Sequence, residues 1–467
     1  MRGWCAVLLA TLLVGCGSEP EGQPPGNISA DAGADGDDDA LAPDTGADAG
    51  PADAPPEAAP DAAGTDAGGG APTGPAKVRY PYGPLQSPMT PEVIARLESL
   101  IAKTTGRKDV FAKVGDSHTV STNFSNCFAG SDVKYGAYPE LDPARQFFKK
   151  TLADGTRTSF DRTTLAAVVG WSTLKPATGS PSPIEQEVAA IKPAWALVML
   201  GTNDTYATGV QPFDRALRTV VDELEGLKVA PILTTIPPRS DSATATALVP
   251  EMNAIVRAVA QAKAVPLIDL ETPLYGVPQY GLAGDGIHMN AYYSGGAHPC
   301  WLTTEGLTEG QNWRNLLTLQ ALDRVKRFVL EKSAPEARPP ALLGKGTWAA
   351  PYVVDDLPFV DHGTTVGGAD VANVYACSSA DEGGPEVVYE ITLTAPARLR
   401  ARVLTDDGVD LDLHWLSGAT ASTCVSRADK VLDVDVTKAG TYRLVVDSYV
   451  TGGSVKAGGY RLTLLAR

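Results

Sequence analysis

Val110 to Phe124 reads VFAKVGDSHTVSTNF, a mostly apolar run that enters Gly115-Asp116-Ser117-His118 directly. Residues 109–114 have the composition of a short buried strand. Gly, Asp and Ser are common turn residues, so Ser117 stands either in a solvated turn or, as a nucleophile, at the tip of a strand. The choice depends on whether the chain also supplies a base, a group that orients the base, and donors for a developing negative charge.

Around this stretch, short apolar runs alternate with amphipathic ones. Upstream, Thr90-Pro91 opens a helix with Pro at its first position, and Val93, Ile94, Leu97, Leu100 and Ile101 form one apolar face. Downstream, AWALVML (Ala194 to Leu200) reads as a buried strand that ends at GTNDT. Phe213 to Leu227 is helical, APILTTI (Ala230 to Ile236) is a strand, Met252 to Ala262 a helix, VPLIDL a strand, and Trp313 to Leu330 a closing helix. Continuous apolar strands separated by helices predict an α/β domain over 77–335, with a parallel sheet covered on both faces. Ligands of such sheets sit beyond the carboxyl ends of the strands. Ser117 and Asn203 both follow strands and so share that edge.

A serine hydroxyl needs a base, and the base needs a partner to fix its tautomer. The chain has five histidines, His118, His288, His298, His362 and His414. His362 and His414 lie in the C-terminal region, and His118 is adjacent to the serine, where side chains point apart. His298, next to Pro299-Cys300, is one candidate, and His288 in GDGIHMN is the better one, because Asp285 precedes it by three positions. That spacing lets one turn present an acid to one imidazole nitrogen. By itself it also fits a surface turn.

These residues together resemble the SGNH, or GDSL-like, hydrolase family. Gly115-Asp116-Ser117, Gly201-Thr202-Asn203-Asp204 and Asp285-Gly286-Ile287-His288 look like the family's first, third and last blocks, in that order, over roughly Asp109 to Leu330. The resemblance implies a flavodoxin-like three-layer α/β/α fold and a serine esterase that needs no cofactor. It makes Ser117 the nucleophile, His288 the general base and Asp285 the group that orients it. The oxyanion hole would be built from the backbone N–H of Ser117, the side chain of Asn203 and a backbone N–H from a second-block glycine. Gly170 in AAVVGWST is the candidate for that glycine, and close packing is the competing reason for a glycine there. The sequence departs from the family at His118-Thr119, where His118 lines the pocket mouth or bonds a loop. Asp116 is expected to stabilise the turn and Asp204 to cap the segment after Asn203.

Past the hinge SAPEARPPALLGKG the apolar residues alternate with period two, as in ARLRARVLT, DLDLHWL, VLDVDV, TYRLVVDSY and GYRLTLLA. One face of each strand should be buried and the other wet, which predicts a small antiparallel β-sandwich over 345–467. EVVYEITLTAPARLRARV, VDLDLHWL and AGTYRLVVDSY look like the bacterial pre-peptidase C-terminal domain, an accessory module of secreted enzymes. Asp406, Asp407, Asp410 and Asp412 suit turns and strand faces better than a calcium site.

Residues 1–16 carry Arg2, an apolar run too short to span a bilayer, and Leu13-Val14-Gly15-Cys16. This looks like the lipobox of bacterial lipoproteins, with Cys16 as the lipidated residue that anchors the chain to a membrane; an ordinary signal peptide that contains a Cys is the other reading. Gly17 after the Cys points to the outer membrane. Residues 17–76 are rich in Ala, Asp, Gly and Pro, too poor in apolar residues to fold, and read as a disordered tether. They hold most of the acidity: the chain's net charge is −16, but from Lys77 onward it is only −4. No basic stripe suggests a nucleic-acid partner. In an exported chain, Cys127 and Cys300 read as one disulfide and Cys377 and Cys424 as another. His288, His298 and Cys300 lack the paired spacing of a zinc site, so no metal is expected.

The function this predicts is an envelope-anchored serine esterase, with O-acetyl groups of a polysaccharide as the suggested substrate. An inactive surface adhesion lipoprotein that works through its sandwich is the alternative.

Overall fold

The computed structural model describes residues 77–207 and 209–467. Cys16 and the 17–76 tether lie outside the described residues. Among those residues no helix is long and apolar enough to cross a membrane.

The first sheet has four parallel strands in the order β1-β2-β3-β4: β1 (Arg107–Gly115), β2 (Pro193–Met199), β3 (Ala230–Thr234) and β4 (Leu267–Ile268). Every residue of β2 and β3 is buried, because helices cover both faces and leave no solvent side to alternate toward. Phe111 pairs with Trp195 and Gly115 with Met199, and Trp195 pairs in turn with Ala230. β4 holds only the middle two residues of VPLIDL.

The helices are α1 (Pro91–Ala102), α2 (Ser117–Val120), α3 (Asp142–Lys149), α4 (Pro183–Ile191), α5 (Asp204–Ala207), α6 (Val210–Gly226), α7 (Ala243–Lys263), α8 (Glu271–Leu274) and α9 (Gly310–Arg324), which a π-helical turn extends to Leu330. In α1, Thr90 caps Val93 N–H, and the buried face is the five residues the periodicity marks. α7 begins well before Met252, because Ser242 caps it and Pro250 is accommodated inside it.

On its other side β1 meets Ala167 in a single parallel bridge, and Gly115 N–H donates to Ala166 O at 3.1 Å. The apolar run before Gly170 is therefore the remnant of an edge strand. Beyond it Val168 and Val169 are exposed, so a full strand does not form. From β1 the chain passes through α3 to Ala167 on one side, then through α4 to β2 on the other. The carboxyl end of β1 is thus a topological switch point, the place where open α/β sheets bind ligands. Ser117 stands there.

The C-terminal strands form two sheets. One has the order β10-β9-β12-β7-β5 and the other β11-β8-β15-β6, with β5 (Tyr352–Val353), β6 (Phe359–Thr364), β7 (Val387–Leu393), β8 (Ala397–Thr405), β9 (Leu411–Leu416), β10 (Cys424–Ala428), β11 (Val431–Val436), β12 (Gly440–Ser448) and β15 (Gly459–Ala466); β13 (Val450–Thr451) and β14 (Ser454–Val455) make a separate hairpin. The two sheets are antiparallel throughout except that β5 pairs parallel to β7. Leu399, Val403, Leu413, Trp415, Leu444 and Leu462 fill the space between the sheets. The expected wet face of β8 needs correction. α7 packs against β6 and β15, and its Glu251 accepts from Arg400 at 2.8 Å, from Arg402 at 2.7 Å and from Arg467. Arg402 is buried by this docking, and only Arg398 stays in water, paired with Asp435.

Both expected disulfides are present, Cys127–Cys300 and Cys377–Cys424. The acidic residues 406–412 face cations of the chain: Asp406 meets Arg461, Asp407 meets Arg215, Asp410 meets Lys430, and Asp412 meets Arg427.

Candidate active site

Ser117 is presented by a tight turn. β1 ends at Gly115, and Asp116 in extended backbone caps α2, its Oδ1 accepting from His118 N–H at 3.0 Å. A Cβ on Gly115 would lie 2.1 Å from Thr119 Oγ1 and 2.9 Å from Met199 O, so only glycine lets the strand run this close to the helix it feeds. As the first residue of α2, Ser117 has no intrahelical acceptor for its own N–H.

His288 Nε2 lies 2.9 Å from Ser117 Oγ, and His288 Nδ1 lies 2.7 Å from Asp285 Oδ2. The other oxygen of Asp285 accepts from the N–H groups of Ile287 and His288 at 2.9 and 3.0 Å, so one Asx turn fixes both members. The carboxylate holds the proton on Nδ1 and leaves the Nε2 lone pair toward the hydroxyl. Burial raises the Asp285 pKa, but the His288 side chain and the two backbone N–H groups outweigh it and hold the carboxyl down at about 2.

Asn203 follows β2 on the same edge. Its Nδ2 donates to Trp171 O at 2.9 Å, which brings the Gly170 segment beside it. Asp204 accepts from Thr173 N–H at 2.9 Å and Thr173 Oγ1 at 2.8 Å and staples the two loops together. Gly170 has φ +82°, and a Cβ there would meet nothing within 4 Å. Backbone conformation, not close packing, is what calls for glycine at that position.

His118 departs from the expectation that it lines the pocket mouth, and its Nε2 has no hydrogen-bond partner among the described residues. It is 2% exposed rather than at a pocket mouth, and its ring sits 5.2 Å from that of His288. Burial, with Arg314 and His288 nearby, holds its pKa well below the ordinary histidine value, so it packs as a neutral ring. Asp116 is fully buried, and burial pushes its carboxyl up to about 6 against the opposing His118 N–H and Arg314.

Two arginines escaped the sequence reading. Arg314 on α9 donates to His118 O at 2.5 Å and Thr119 Oγ1 at 2.9 Å, and its guanidinium lies 3.6 Å over the Phe124 ring. It thus ties α2 to the last helix. Arg239, fully buried, donates to Thr202 O at 2.7 Å, Thr205 Oγ1 at 2.8 Å and Asp241. The adjacent Ser240 N–H donates to Gly286 O at 2.9 Å, so one short segment joins the Asn203 loop to the His288 loop. An arginine within a polar stretch reads as exposed, and only long-range packing reveals these two.

His298 is held elsewhere, by Asp132 at 2.6 Å and Ser294 O at 3.0 Å, and Cys300 is in a disulfide. Those residues do not join His288.

Residues 114–292 match the model of the GDSL-like Lipase/Acylhydrolase family, a span that holds Ser117, Asn203, Asp285 and His288. The chain carries a GDSL-like hydrolase domain. That domain is an ester-hydrolysing enzyme. No curated protein matches the chain. Among solved structures it is similar to an acetylxylan esterase from Geobacillus stearothermophilus (16% identity, 47% of this chain and 96% of that one, TM-score 0.31). It is also similar to a carbohydrate esterase family 3 protein from Talaromyces cellulolyticus (17%, 48% and 99%, TM-score 0.34). A GDSL-like lipase from Bacteroides thetaiotaomicron gives 16%, 50% and 98%, with a TM-score of 0.29.

Proposed function

We propose that Ser117, His288 and Asp285 hydrolyse the ester through an acyl-enzyme. The observation that carries this reading is the continuous chain from Ser117 Oγ through the His288 ring to Asp285, at 2.9 and 2.7 Å. Ser117 Oγ attacks the carbonyl carbon as its proton passes to Nε2, and that proton then goes to the departing alkoxide. Water attacks the acyl group on Ser117, gives a proton to Nε2 and returns the serine, so that ester and water become acid and alcohol.

The imidazolium formed midway is stabilised by Asp285. The oxyanion is received by the Ser117 and Gly170 backbone N–H groups and by Asn203 Nδ2, whose second N–H is not needed by Trp171. Positioned donors of this kind each lower the barrier by about 3 to 4 kcal/mol.

The substrate proposed is an O-acetyl group on a carbohydrate of the cell envelope. Its support is the lipoprotein-like start of the sequence, which would place the enzyme outside the cytoplasm. The triad is also open: the side chains of His288 and Asp285 are 44% and 46% exposed, which suits a small acyl group carried on a bulky alcohol. The intact triad counts against an inactive adhesin. The test sets p-nitrophenyl acetate and a panel of acetylated glycans against longer acyl esters, with Ser117→Ala as control. Acetyl release from a glycan, absent in the variant, is expected. Equal rates for both proteins would remove the catalytic reading, and a preference for long acyl chains would remove the substrate reading.

A further inference from the structure

The sheet β10-β9-β12-β7-β5 has a second polar cluster on the face turned away from the sandwich core. Asp412 and His414 alternate along β9, and Asp447 on β12 lies directly opposite Asp412. Glu382, from the long connection between β6 and β7, covers them. All four are at most 1% exposed. Like charges opposite each other on neighbouring strands repel, and a buried carboxylate without a counter-charge is costly.

The partners present do not balance this group. Arg427 contacts Asp412 and reaches Glu382 only at 3.7 Å, so three carboxyl groups face one guanidinium. Both oxygens of Glu382 and Nε2 of His414 are buried without a hydrogen-bond partner, although they lie 3.4 Å apart. One ligand atom each from Glu382, His414 and Asp447 fits within 4.8 Å of the others. The Nδ1 side of His414 faces the Cys377 sulfur at 4.0 Å, which leaves Nε2 to supply the lone pair.

We infer that Glu382, His414 and Asp447 bind one divalent transition-metal ion of the zinc class. Two carboxylate oxygens with an imidazole nitrogen suit that class, whereas calcium prefers an all-oxygen set. A dication offsets the charge of two carboxylates, and its bonds to Glu382 and His414 use atoms that lack partners, while Asp447 also accepts from the Tyr375 hydroxyl and from Ser448 N–H. Supporting residues are in place as well. Tyr375 stacks on the His414 ring at 3.8 Å, and its hydroxyl donates to Asp447 Oδ2 at 2.5 Å, orienting two ligands at once. The metal would tie residues 365–386, a long connection with no strand or helix, to the sheet. Cys377 and Cys424 are disulfide-bonded and offer no thiolate to the ion.

The test uses the full chain, stripped with EDTA and kept under non-reducing conditions so that Cys377 and Cys424 stay closed. Titration with Zn2+ is expected to reach one tightly bound ion per chain, with a rise in unfolding midpoint of about 5 °C. Co2+ in its place is expected to give visible absorption bands of a site with nitrogen and oxygen ligands. Glu382→Gln and His414→Asn should lose both responses and keep the wild-type rate on p-nitrophenyl acetate. No uptake of Zn2+ or Co2+ by the wild-type chain overturns the proposal, whether or not the variants fold. Uptake of Ca2+ alone does so too, as does unchanged stoichiometry in Glu382→Gln. Because the readouts are metal content, spectrum and midpoint, they stand apart from the fate of the esterase reading.

Discussion

Replacing Asp116 with Asn removes a buried charge from beneath the serine while keeping the oxygen that caps His118 N–H. In the folded chain the carboxyl titrates at about 6, against 3.8 for the free side chain. The folded state therefore holds the proton more tightly than the unfolded state, and stability falls as pH rises from about 4 to about 6, then stays lower. The difference corresponds to about 3 kcal/mol. Other buried carboxyls titrate in the same window, Glu271 being pushed up to about 7 by burial, so the wild-type profile alone does not isolate Asp116. The difference between variant and wild type does. Urea unfolding of both at pH 4.5 and pH 8 is expected to show Asp116→Asn gaining about 2 kcal/mol relative to wild type across that interval, since about 1 kcal/mol of the full difference is already lost by pH 4.5, beyond any constant offset from its unpaired amide. A difference that is the same at both pH values would refute the reasoning that Asp116 carries an uncompensated charge in the fold.

Asn203→Ala is expected to lower kcat on p-nitrophenyl acetate by about 100- to 1000-fold with little change in KM, since the lost donor acts on the oxyanion; a wild-type kcat would take Asn203 out of the oxyanion hole. Glu251→Ala strands the buried Arg402 against α7, while Arg400 keeps Asp433, and should cost about 3 kcal/mol in urea unfolding, whereas an unchanged curve would mean that the ion pairs do not hold the sandwich to the catalytic domain. In a bacterial host, labelled palmitate should enter the wild-type chain and not Cys16→Ser; labelling of both would rule out Cys16 as the lipidation site.

Much of the α/β framework was legible because its signals are local. The β2 stretch is apolar without interruption and buried throughout, and the Thr90-Pro91 start with its helical apolar face needs no tertiary information. The triad was legible through Asp285 and His288, whose pairing is made inside a single Asx turn. Signals were present but unread at α4, where Ser182 and Glu185 form a capping box behind Pro183. The N-terminal part of α7, ATATALVPE, is rich in residues that also suit loops, and its cap at Ser242 gave no apolar period to follow. What the chain does not display locally is long-range compensation. Arg314 acts on His118, 196 positions away. Arg402 reads as a wet-face residue until Glu251 of α7 is set against it, and the edge strand before Gly170 shrinks to one bridge because Val168 and Val169 find nothing to pack on.

The role of Ser117 is tested most directly by treating the full chain with diisopropyl fluorophosphate and mapping the adduct by peptide mass spectrometry. The expected result is one phosphoryl group per chain, on Ser117, rising in step with loss of p-nitrophenyl acetate hydrolysis and absent from His288→Ala. Full inactivation with the adduct on another residue, or persistent activity with Ser117 fully modified, would contradict the account.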